Sequence, residues 1–226
     1  MTWGDLYNQY YYEHGLGPDP YRREEPWLSF FNNVADRIVD ELHPDTVLDV
    51  GCGIGMLVDA LRDKGVSAFG FDVSEYAVSQ ARGYVVQGKA QDAASYAGKY
   101  DLVVCIEVLE HLTPSDSEHA LGLMCKFSRA VLFSSSPVDY MEPTHINVRY
   151  PEYWARQFSR YAFFRKIDFD CSFVSEWASL FLKNEHLSHR QLVENYEREL
   201  YRLKHQNHEQ RAAILDLQEQ LGGTHE

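Results

Sequence analysis

The sequence predicts a doubly wound α/β fold, a mainly parallel seven-stranded sheet with helices on both faces, followed by one long C-terminal helix. Two observations carry this prediction. Through residues 45–183, short runs rich in valine, isoleucine and leucine alternate with helical patterns, which is typical of parallel strands buried on both faces. Within residues 184–226, apolar residues instead repeat at heptad spacing. In a doubly wound sheet, a ligand is expected at the carboxyl ends of the strands.

Residues 1–44 predict an aromatic cap followed by a helix. The segment HGLGPDPY at 14–21 has the glycines and prolines of a loop. From Glu25, apolar residues recur at helical spacing and are expected in the core: Trp27, Phe30, Phe31, Val34, Ile38 and Leu42. Pro44 and Asp45 end this helix. Five tyrosines are expected either to pack as a collar on the domain or to form a lid over a ligand: Tyr7, Tyr10, Tyr11, Tyr12 and Tyr21.

Residues 45–183 predict the strands and their connecting helices. The strands are TVLDV, SAFGFD, YVVQG, DLVVCIEV, AVLFSSS, FFRKIDF and WASLFLK, in chain order. Helical patterns follow the first, second and fifth of these strands, at GMLVDALRDKG, SEYAVSQARG and YPEYWARQFSRY. After the fourth strand, Thr113 and Pro114 are the residue types of a helix N-cap and a first helical turn.

Composition and charge restrict the class of protein. The 226 residues include 21 Lys and Arg against 34 Asp and Glu, a formal net charge of −13. This charge repels the phosphates of nucleic acids and anionic membranes, so neither is an expected partner. No apolar run is long enough for a membrane span, and the N-terminal segment lacks the pattern of a secretory signal. Four scattered cysteines favour free, buried thiols in a cytoplasmic protein: Cys52, Cys105, Cys125 and Cys171.

The segment VLDVGCGIGML predicts a ligand-binding turn after the first strand. Three glycines there permit a tight turn and let a ligand lie against the backbone: Gly51, Gly53 and Gly55. A dinucleotide-binding pattern would need a glycine at Met56, and Asp49 disfavours a pyrophosphate but suits a cationic ligand. At the end of the second strand, Asp72 can accept both hydroxyls of a ribose. The alternative role of Asp72 is a helix N-cap before SEYAV.

Three strand-end motifs, VLDVGCGIG, FGFDVSEYAV and DLVVCIEVLEHL, resemble in order and spacing those of the class I S-adenosylmethionine-dependent methyltransferases. The resemblance covers about residues 30–183 and implies a Rossmann-like methyltransferase fold with S-adenosyl-L-methionine as cofactor. It implies cofactor-binding roles for Asp49 near the amino group, for Gly51, Cys52, Gly53 and Gly55 along the methionine portion, for Asp72 with Val73 at the ribose, for Ala90 and Gln91 at the adenine, and for Ile106 and Glu107 near the sulfonium. Lys89 stands where many relatives carry an acid, so another group must accept the adenine amino hydrogen bond.

The later segments PTHINVRYPEYWARQF, DFDCSFVSEWASLFL and VENYERELYRLKHQN are similar to bacterial methyltransferases of glycan and cell-surface polysaccharide pathways. This similarity implies O-methylation of a sugar, a glycan or another small-molecule hydroxyl. Two other hypotheses remain, a non-catalytic cofactor-binding scaffold and, disfavoured by Met56 and Asp49, a nucleotide-dependent oxidoreductase.

Methyl transfer to a hydroxyl needs a base, and histidine is the natural one near neutral pH. His145, in the loop after the fifth strand, is expected to act as base, to position the acceptor, or to bond only to the backbone. His111 is expected to have either a catalytic or a structural role, and Glu107 is a third catalytic candidate that could orient the cofactor or the acceptor. Asp139 and Glu142 precede His145 at D-x-x-E-x-x-H spacing, but such loop residues are commonly solvated, and no metal site is predicted.

The C-terminal pattern predicts a helix from about residue 189 to 221. Its seam follows 4-3 spacing: Tyr196, Leu200, Leu203, Asn207, Gln210, Ile214, Leu217 and Leu221. This spacing predicts a coiled coil through residues 196–221, formed with a second copy or with another protein. Asn207 at an a position favours a parallel dimer.

Overall fold

The structure is a computed structural model that describes residues 6–15 and 19–222. The chain divides into two compact units, Met1–Asn184 and Glu185–Glu226. The part of the predicted HGLGPDPY loop at residues 16–18 lies outside the described residues. All four cysteines are free and buried, as their scattered spacing predicts. No helix in the described ranges is long and apolar enough to cross a membrane.

The first unit combines short strands with flanking helices. Its helices are α1 (Gln9–His14), α2 (Trp27–Leu42), α3 (Met56–Asp63), α4 (Glu75–Gln80), α5 (Pro114–Phe127) and α6 (Pro151–Ser159). Its strands are β1 (Thr46–Val50), β2 (Ser67–Asp72), β3 (Val85–Gln87), β4 (Leu102–Ile106), β5 (Ala130–Ser134), β6 (Phe163–Arg165) and β7 (Ser179–Lys183). Short 3-10 turns occur at Ala93–Ser95 and Leu109–His111. The helix after β4 begins as predicted, because the Thr113 side chain accepts a hydrogen bond from the Asp116 N–H and Pro114 is its first residue.

The seven strands form one sheet in the order β3-β2-β1-β4-β5-β7-β6. Pairing is parallel from β3 to β5, and β7 runs antiparallel between β5 and β6. The predicted doubly wound, mainly parallel seven-stranded sheet is confirmed. The chain changes direction across the sheet between neighbouring strands β1 and β4, so a crevice opens beyond their carboxyl ends.

A hydrophobic core lies on each face of the sheet. In β1, Val47 belongs to one core and Leu48 to the other, because successive side chains of a strand alternate between faces. The first core contains Val34 and Ile38 of α2, and the second contains Trp154 of α6. Burying each such side chain contributes about 1.5–3 kcal/mol before entropy is counted.

Several predicted strands are shorter in the structure. The DLVVCIEV strand ends at Ile106, because Glu107 takes a left-handed conformation with φ of 53°. The AVLFSSS strand ends at Ser134, and FFRKIDF pairs only over Phe163–Arg165. The last strand begins at Ser179, so Trp177 precedes it and is free to face the crevice.

The second unit is one helix, α7 (His189–Gly222), of 34 residues. The predicted C-terminal helix is therefore present.

Candidate active site

A cavity of about 560 Å³ lies beyond the carboxyl ends of β1, β2 and β4. Its lining includes every residue that sequence analysis assigned to the cofactor or to catalysis except Gly55: Asp49, Gly51, Cys52, Gly53, Asp72, Val73, Ala90, Gln91, Ile106, Glu107, His111 and His145. The strand-end motifs therefore converge in space, as expected for a doubly wound sheet.

The glycine turn after β1 exposes bare backbone to this cavity. Gly51 and Gly53 both have left-handed backbones, with φ of 71° and 54°. A Cβ atom added to Gly53 would lie 3.2 Å from the Tyr21 ring, so a side chain there would press against Tyr21 in the cavity wall. Gly55 is not among the lining residues and instead forms the left-handed N-cap of α3, with φ of 75°. The role of Gly55 behind the ligand therefore stays a prediction.

Two buried carboxyl groups border the glycine turn. Burial and the nearby Asp72 charge raise the pKa of Asp49 to about 7. No hydrogen bond from a described residue offsets this rise in the pKa of Asp49. Asp72 accepts hydrogen bonds of 2.8 Å from the N–H groups of Gly53 and Ser74, and burial raises its pKa despite them. The N-cap of α4 is Ser74, whose hydroxyl accepts from the Ala77 N–H, so the N-cap role weighed for Asp72 is wrong.

The loop after β3 forms another part of the wall. Lys89, Ala90 and Gln91 line the cavity there. The Ala90 carbonyl oxygen accepts a 2.9 Å hydrogen bond from the Tyr96 hydroxyl, and the Lys89 N–H donates to Ser95 Oγ at 2.9 Å. These bonds fix the backbone of the segment without using its side chains.

The aromatic cap covers the cavity with most of its tyrosines. Tyr7, Tyr11, Tyr12 and Tyr21 line it, whereas Tyr10 is 72% exposed and does not. Tyr10 therefore does not belong to the wall of this cavity. The α2 stripe assigned to the core also faces the ligand space, since three of its members line the cavity: Trp27, Phe30 and Phe31.

Arg23 fastens this cap to the glycine turn. Its guanidinium donates to Asp59 Oδ2 at 2.5 Å and to the Ile54 carbonyl oxygen at 2.6 Å. Both side chains of the ion pair are mostly buried, with 17% and 19% of their surface exposed. Arg23 could not be identified from the sequence, because its partners are distant in the chain and belong to no local pattern.

Glu107 and Trp177 form a polar contact across the cavity wall. The Trp177 indole N–H donates a 2.8 Å hydrogen bond to Glu107 Oε1. Trp177 reaches the site from the turn before β7. This position could not be predicted, because the apolar run WASLFLK places Trp177 inside a strand.

His111 and His145 lie side by side, with ring centroids 4.6 Å apart. His111 Nδ1 lies 2.9 Å from Thr144 Oγ1, and His145 Nδ1 lies 2.8 Å from the Asp139 carbonyl oxygen. Burial and the neighbouring His145 lower the pKa of His111 to about 4, so its ring is neutral at pH 7.

Glu110 lies directly behind these histidines and was missed by sequence analysis. Its side chain is fully buried, and Oε1 accepts a 3.3 Å hydrogen bond from the Ser136 N–H. Burial and the nearby Glu107 raise the pKa of Glu110 well above its usual range. The motif EVLEHL contained the signal, because it places this acid beside His111, but burial cannot be inferred from spacing alone.

Asp139 and Glu142 organise the loop that carries His145. Asp139 Oδ1 accepts from the Met141 and Glu142 N–H groups, and Glu142 Oε1 accepts from Thr144 Oγ1 at 2.7 Å. The carboxylates of the D-x-x-E-x-x-H spacing are thus occupied by contacts within their own loop.

A family model described as "Methyltransferase domain" matches residues 21–207, most of the chain. The chain belongs to the methyltransferase-domain family. Among curated proteins, it is 36% identical over 100 residues to a ubiquinone biosynthesis O-methyltransferase of Azoarcus sp. (strain BH72), covering 39% of this chain and 43% of that protein. It is 35% identical over 131 residues to the protein of the same name from Thiobacillus denitrificans, covering 52% and 56%. The chain thus spans about half the length of these relatives.

Among solved structures, a magnesium protoporphyrin IX methyltransferase from Synechocystis PCC 6803, determined with bound S-adenosylmethionine, superposes with a TM-score of 0.55 at 16% identity. The superposition covers 81% of this chain and 98% of that one. This likeness supports the Rossmann-like methyltransferase fold of the family member described here. The glycan-associated subgroup stays a prediction, because the two curated relatives carry ubiquinone-pathway names.

Proposed function

We propose that this family member is an S-adenosylmethionine-dependent O-methyltransferase that acts on a hydroxyl of a small molecule, with a sugar or glycan as the first acceptor class to test. The proposal rests on one observation, that the same cavity is lined by two buried carboxyl groups beside a glycine turn and by two histidines. When bound, the cofactor supplies a methyl group on a positively charged sulfur, which makes the methyl carbon electrophilic.

The cofactor side of the cavity fits this ligand. The buried Asp49 suits the ammonium of the methionine portion, since a buried carboxylate is stabilised by a cation. Gly51 and Gly53 leave backbone uncovered, and Asp72 can accept from ribose hydroxyls. Ala90 and Gln91 border the space for the adenine.

The acceptor side is aromatic with a small number of polar groups. Tyrosine rings present an apolar face and a polar edge, which suits a sugar ring. His111 and His145 are the polar groups that would act on the acceptor hydroxyl, and Glu107, which accepts a hydrogen bond from Trp177, would orient it. Oxygen as the methylated atom is also supported by the names of the curated relatives.

A second acceptor class is a phenolic ring. The name shared by the curated relatives refers to ubiquinone biosynthesis, and the wall formed by Trp27, Phe30 and Phe31 favours a flat apolar ring. Both classes use the same hydroxyl chemistry, so a shared set of variants tests them.

The test is methylation of a panel of sugars, nucleotide sugars and phenols, followed by mass spectrometry with labelled cofactor. His145→Ala should lower turnover about 100-fold or more on the true acceptor. His119→Ala, at an exposed site on α5, is the matched control and should keep wild-type turnover. Cofactor binding without transfer to any acceptor would favour the non-catalytic scaffold, and undiminished turnover in His145→Ala would remove that residue from the reaction.

A further inference from the structure

Glu110, His111 and His145 form a cluster with the geometry of a cation site. One potential ligand atom from each residue lies within 4.8 Å of the other two. Two of the three residues line the cavity, so the cluster opens toward the acceptor side. The residues come from the 3-10 turn after β4 and from the loop after β5, which the parallel pairing of these strands brings together.

Hydrogen bonds fix the tautomer of both imidazoles. The Asp139 carbonyl oxygen can only accept, so His145 Nδ1 carries the proton and Nε2 has the lone pair. Thr144 Oγ1 donates to Glu142 and therefore accepts from His111 Nδ1, which again leaves a lone pair on Nε2. A ring nitrogen held by a carbonyl or by a hydroxyl–carboxylate pair is the usual arrangement behind a metal-ligating histidine.

The Glu110 side chain supplies an independent observation. It is fully buried, and its Oε2 atom has no hydrogen-bond partner among the described residues. A buried carboxylate oxygen without a partner is costly, and native proteins almost always satisfy such an atom. A cation bound between Glu110 and the two histidines would satisfy it.

We infer that Glu110, His111 and His145 bind a divalent first-row transition ion. Two imidazole nitrogens and one carboxylate suit manganese, iron, cobalt or zinc, whereas magnesium and calcium prefer oxygen ligands alone. Three protein ligands leave coordination positions open on the cavity side for water or for an acceptor oxygen.

The ion gives the histidines a defined role, and this step rests on the proposed function. An acceptor hydroxyl bound to the ion ionises more easily and releases its proton to water, which leaves an oxygen nucleophile held in the cavity. His111 and His145 then act as ligands, and the general-base role considered for His145 is not needed. Binding of the ion itself requires neither cofactor nor acceptor.

Metal binding is tested directly on the full-length protein stripped with chelator. Cobalt(II) is added, its visible absorption bands are recorded, and manganese(II) and zinc(II) binding is measured by calorimetry. We expect one ion per chain. His145→Ala and Glu110→Gln should weaken binding at least ~10-fold, the scale set by the loss of groups around a metal site. The exposed controls His119→Ala and Glu152→Gln should bind as the wild type does.

Asp139→Asn separates this cluster from the D-x-x-E-x-x-H set, because it keeps the backbone carbonyl that holds His145 and should retain the ion. Because His145 lies in a loop, His145→Ala tests the assignment without disturbing the core around buried Glu110. Thermal unfolding of each variant verifies that it is folded. Any of three results would overturn the assignment. The wild-type protein binds no ion, His145→Ala and His119→Ala bind it equally well, or Asp139→Asn loses the ion while Glu110→Gln retains it. Loss of metal binding with preserved methyl transfer would leave the proposed function standing.

Discussion

Asp49 couples ligand binding to pH at the scale of a single residue. Its pKa of about 7 lies above that of the unfolded chain, because burial and Asp72 disfavour the charged form. In the ligand-free protein, Asp49 therefore contributes to the free energy of unfolding in full below its unfolded pKa. This contribution is lost as the pH rises through about 7. A cationic ligand reverses the preference, since it stabilises the ionised carboxylate.

Affinity for S-adenosylmethionine should accordingly weaken as the pH falls from 8 to 6, when Asp49 takes up a proton. Asp49→Asn should raise the melting temperature of the ligand-free protein at pH 8, flatten this pH dependence, and weaken binding. Calorimetry and thermal unfolding at several pH values measure these effects. A steep, unchanged pH dependence in Asp49→Asn would assign the titration to another group.

Gly53 and Asp72 should control cofactor affinity by space and by hydrogen bonding. Gly53→Val should abolish binding of S-adenosylmethionine and of its demethylated product, because a side chain meets Tyr21 and fills the ligand space. Asp72→Ala should weaken binding by about 1–3 kcal/mol, the scale of a charged hydrogen-bond partner.

The control for Gly53 is Gly98→Val, which imposes left-handed strain at φ of 93° but meets nothing within 4 Å of its Cβ. It should be destabilised yet bind the cofactor normally. Equal affinity of Gly53→Val and wild type in calorimetry would refute the placement of the cofactor.

Residues in strand-end motifs could be predicted from sequence, while residues brought in by tertiary contacts could not. Asp49 and Asp72 lie near the carboxyl ends of buried strands and Glu107 directly follows one, and parallel strands bring their carboxyl ends to one edge. Trp177 and Arg23 reach the site through contacts 70 and 31–57 positions away along the chain, and no local pattern encodes such contacts.

At the scale of an element, the capping segment depends on Arg23. Arg23→Met should lower thermal stability and weaken cofactor affinity, because the cap loses its bonds to Asp59 and Ile54 and Tyr21 is less firmly held. The loss should be about 1–3 kcal/mol, typical of hydrogen bonds to a charged group.

Arg22→Met provides a matched control for the capping segment. Arg22 pairs with Glu24 at an exposed site, where an ion pair contributes about 0–1 kcal/mol. Thermal unfolding and calorimetry of both variants test whether the bonds from Arg23 to Asp59 and Ile54 hold the cap. Equal effects of Arg22→Met and Arg23→Met would exclude a special role for Arg23.

Element types were predicted more accurately than element ends. The periodicity of α2 and the apolar runs of β1, β2 and β4 are strong signals, and the structure contains all of them. Helix α1 has six residues, too few for a periodic pattern, and tertiary packing of Tyr7 and Tyr12 stabilises it instead. The strands β6 and β7 are shorter than their apolar runs, since turns at Lys166–Phe169 and Ser175–Ala178 interrupt the pairing.

At the scale of the whole molecule, α7 leaves an apolar seam in water. Four leucine and isoleucine side chains of the predicted seam are 46–57% exposed: Leu200, Leu203, Ile214 and Leu217. We expect these residues to pair with a second copy as a parallel coiled coil through residues 196–221, because burial of the seam offsets the entropy of association. The side chain of Leu221, the last seam position, lies outside the described residues.

Leu217→Lys should shift the full-length protein toward the monomer, because it places a charge in the seam. Leu215→Lys is the matched control, since Leu215 is 61% exposed but lies off the seam. A chain ending at Asn184 should be monomeric and still bind cofactor, because the cavity residues precede that point. Light scattering that shows monomeric full-length protein at high micromolar concentration would assign the seam to a different partner protein.

The hydrogen bond between Trp177 and Glu107 also gives the protein its own optical reporter. Indole fluorescence responds to the polarity and charge around the ring, and both Trp177 and Trp27 border the cavity, whereas Trp154 is enclosed in the second core. Any molecule that enters the cavity therefore changes the surroundings of Trp27 and Trp177, while Trp154 serves as an internal reference. The fourth tryptophan, Trp3, lies outside the described residues. Binding can be followed without an attached dye, and Trp177→Phe identifies the part of the signal that comes from the acceptor side.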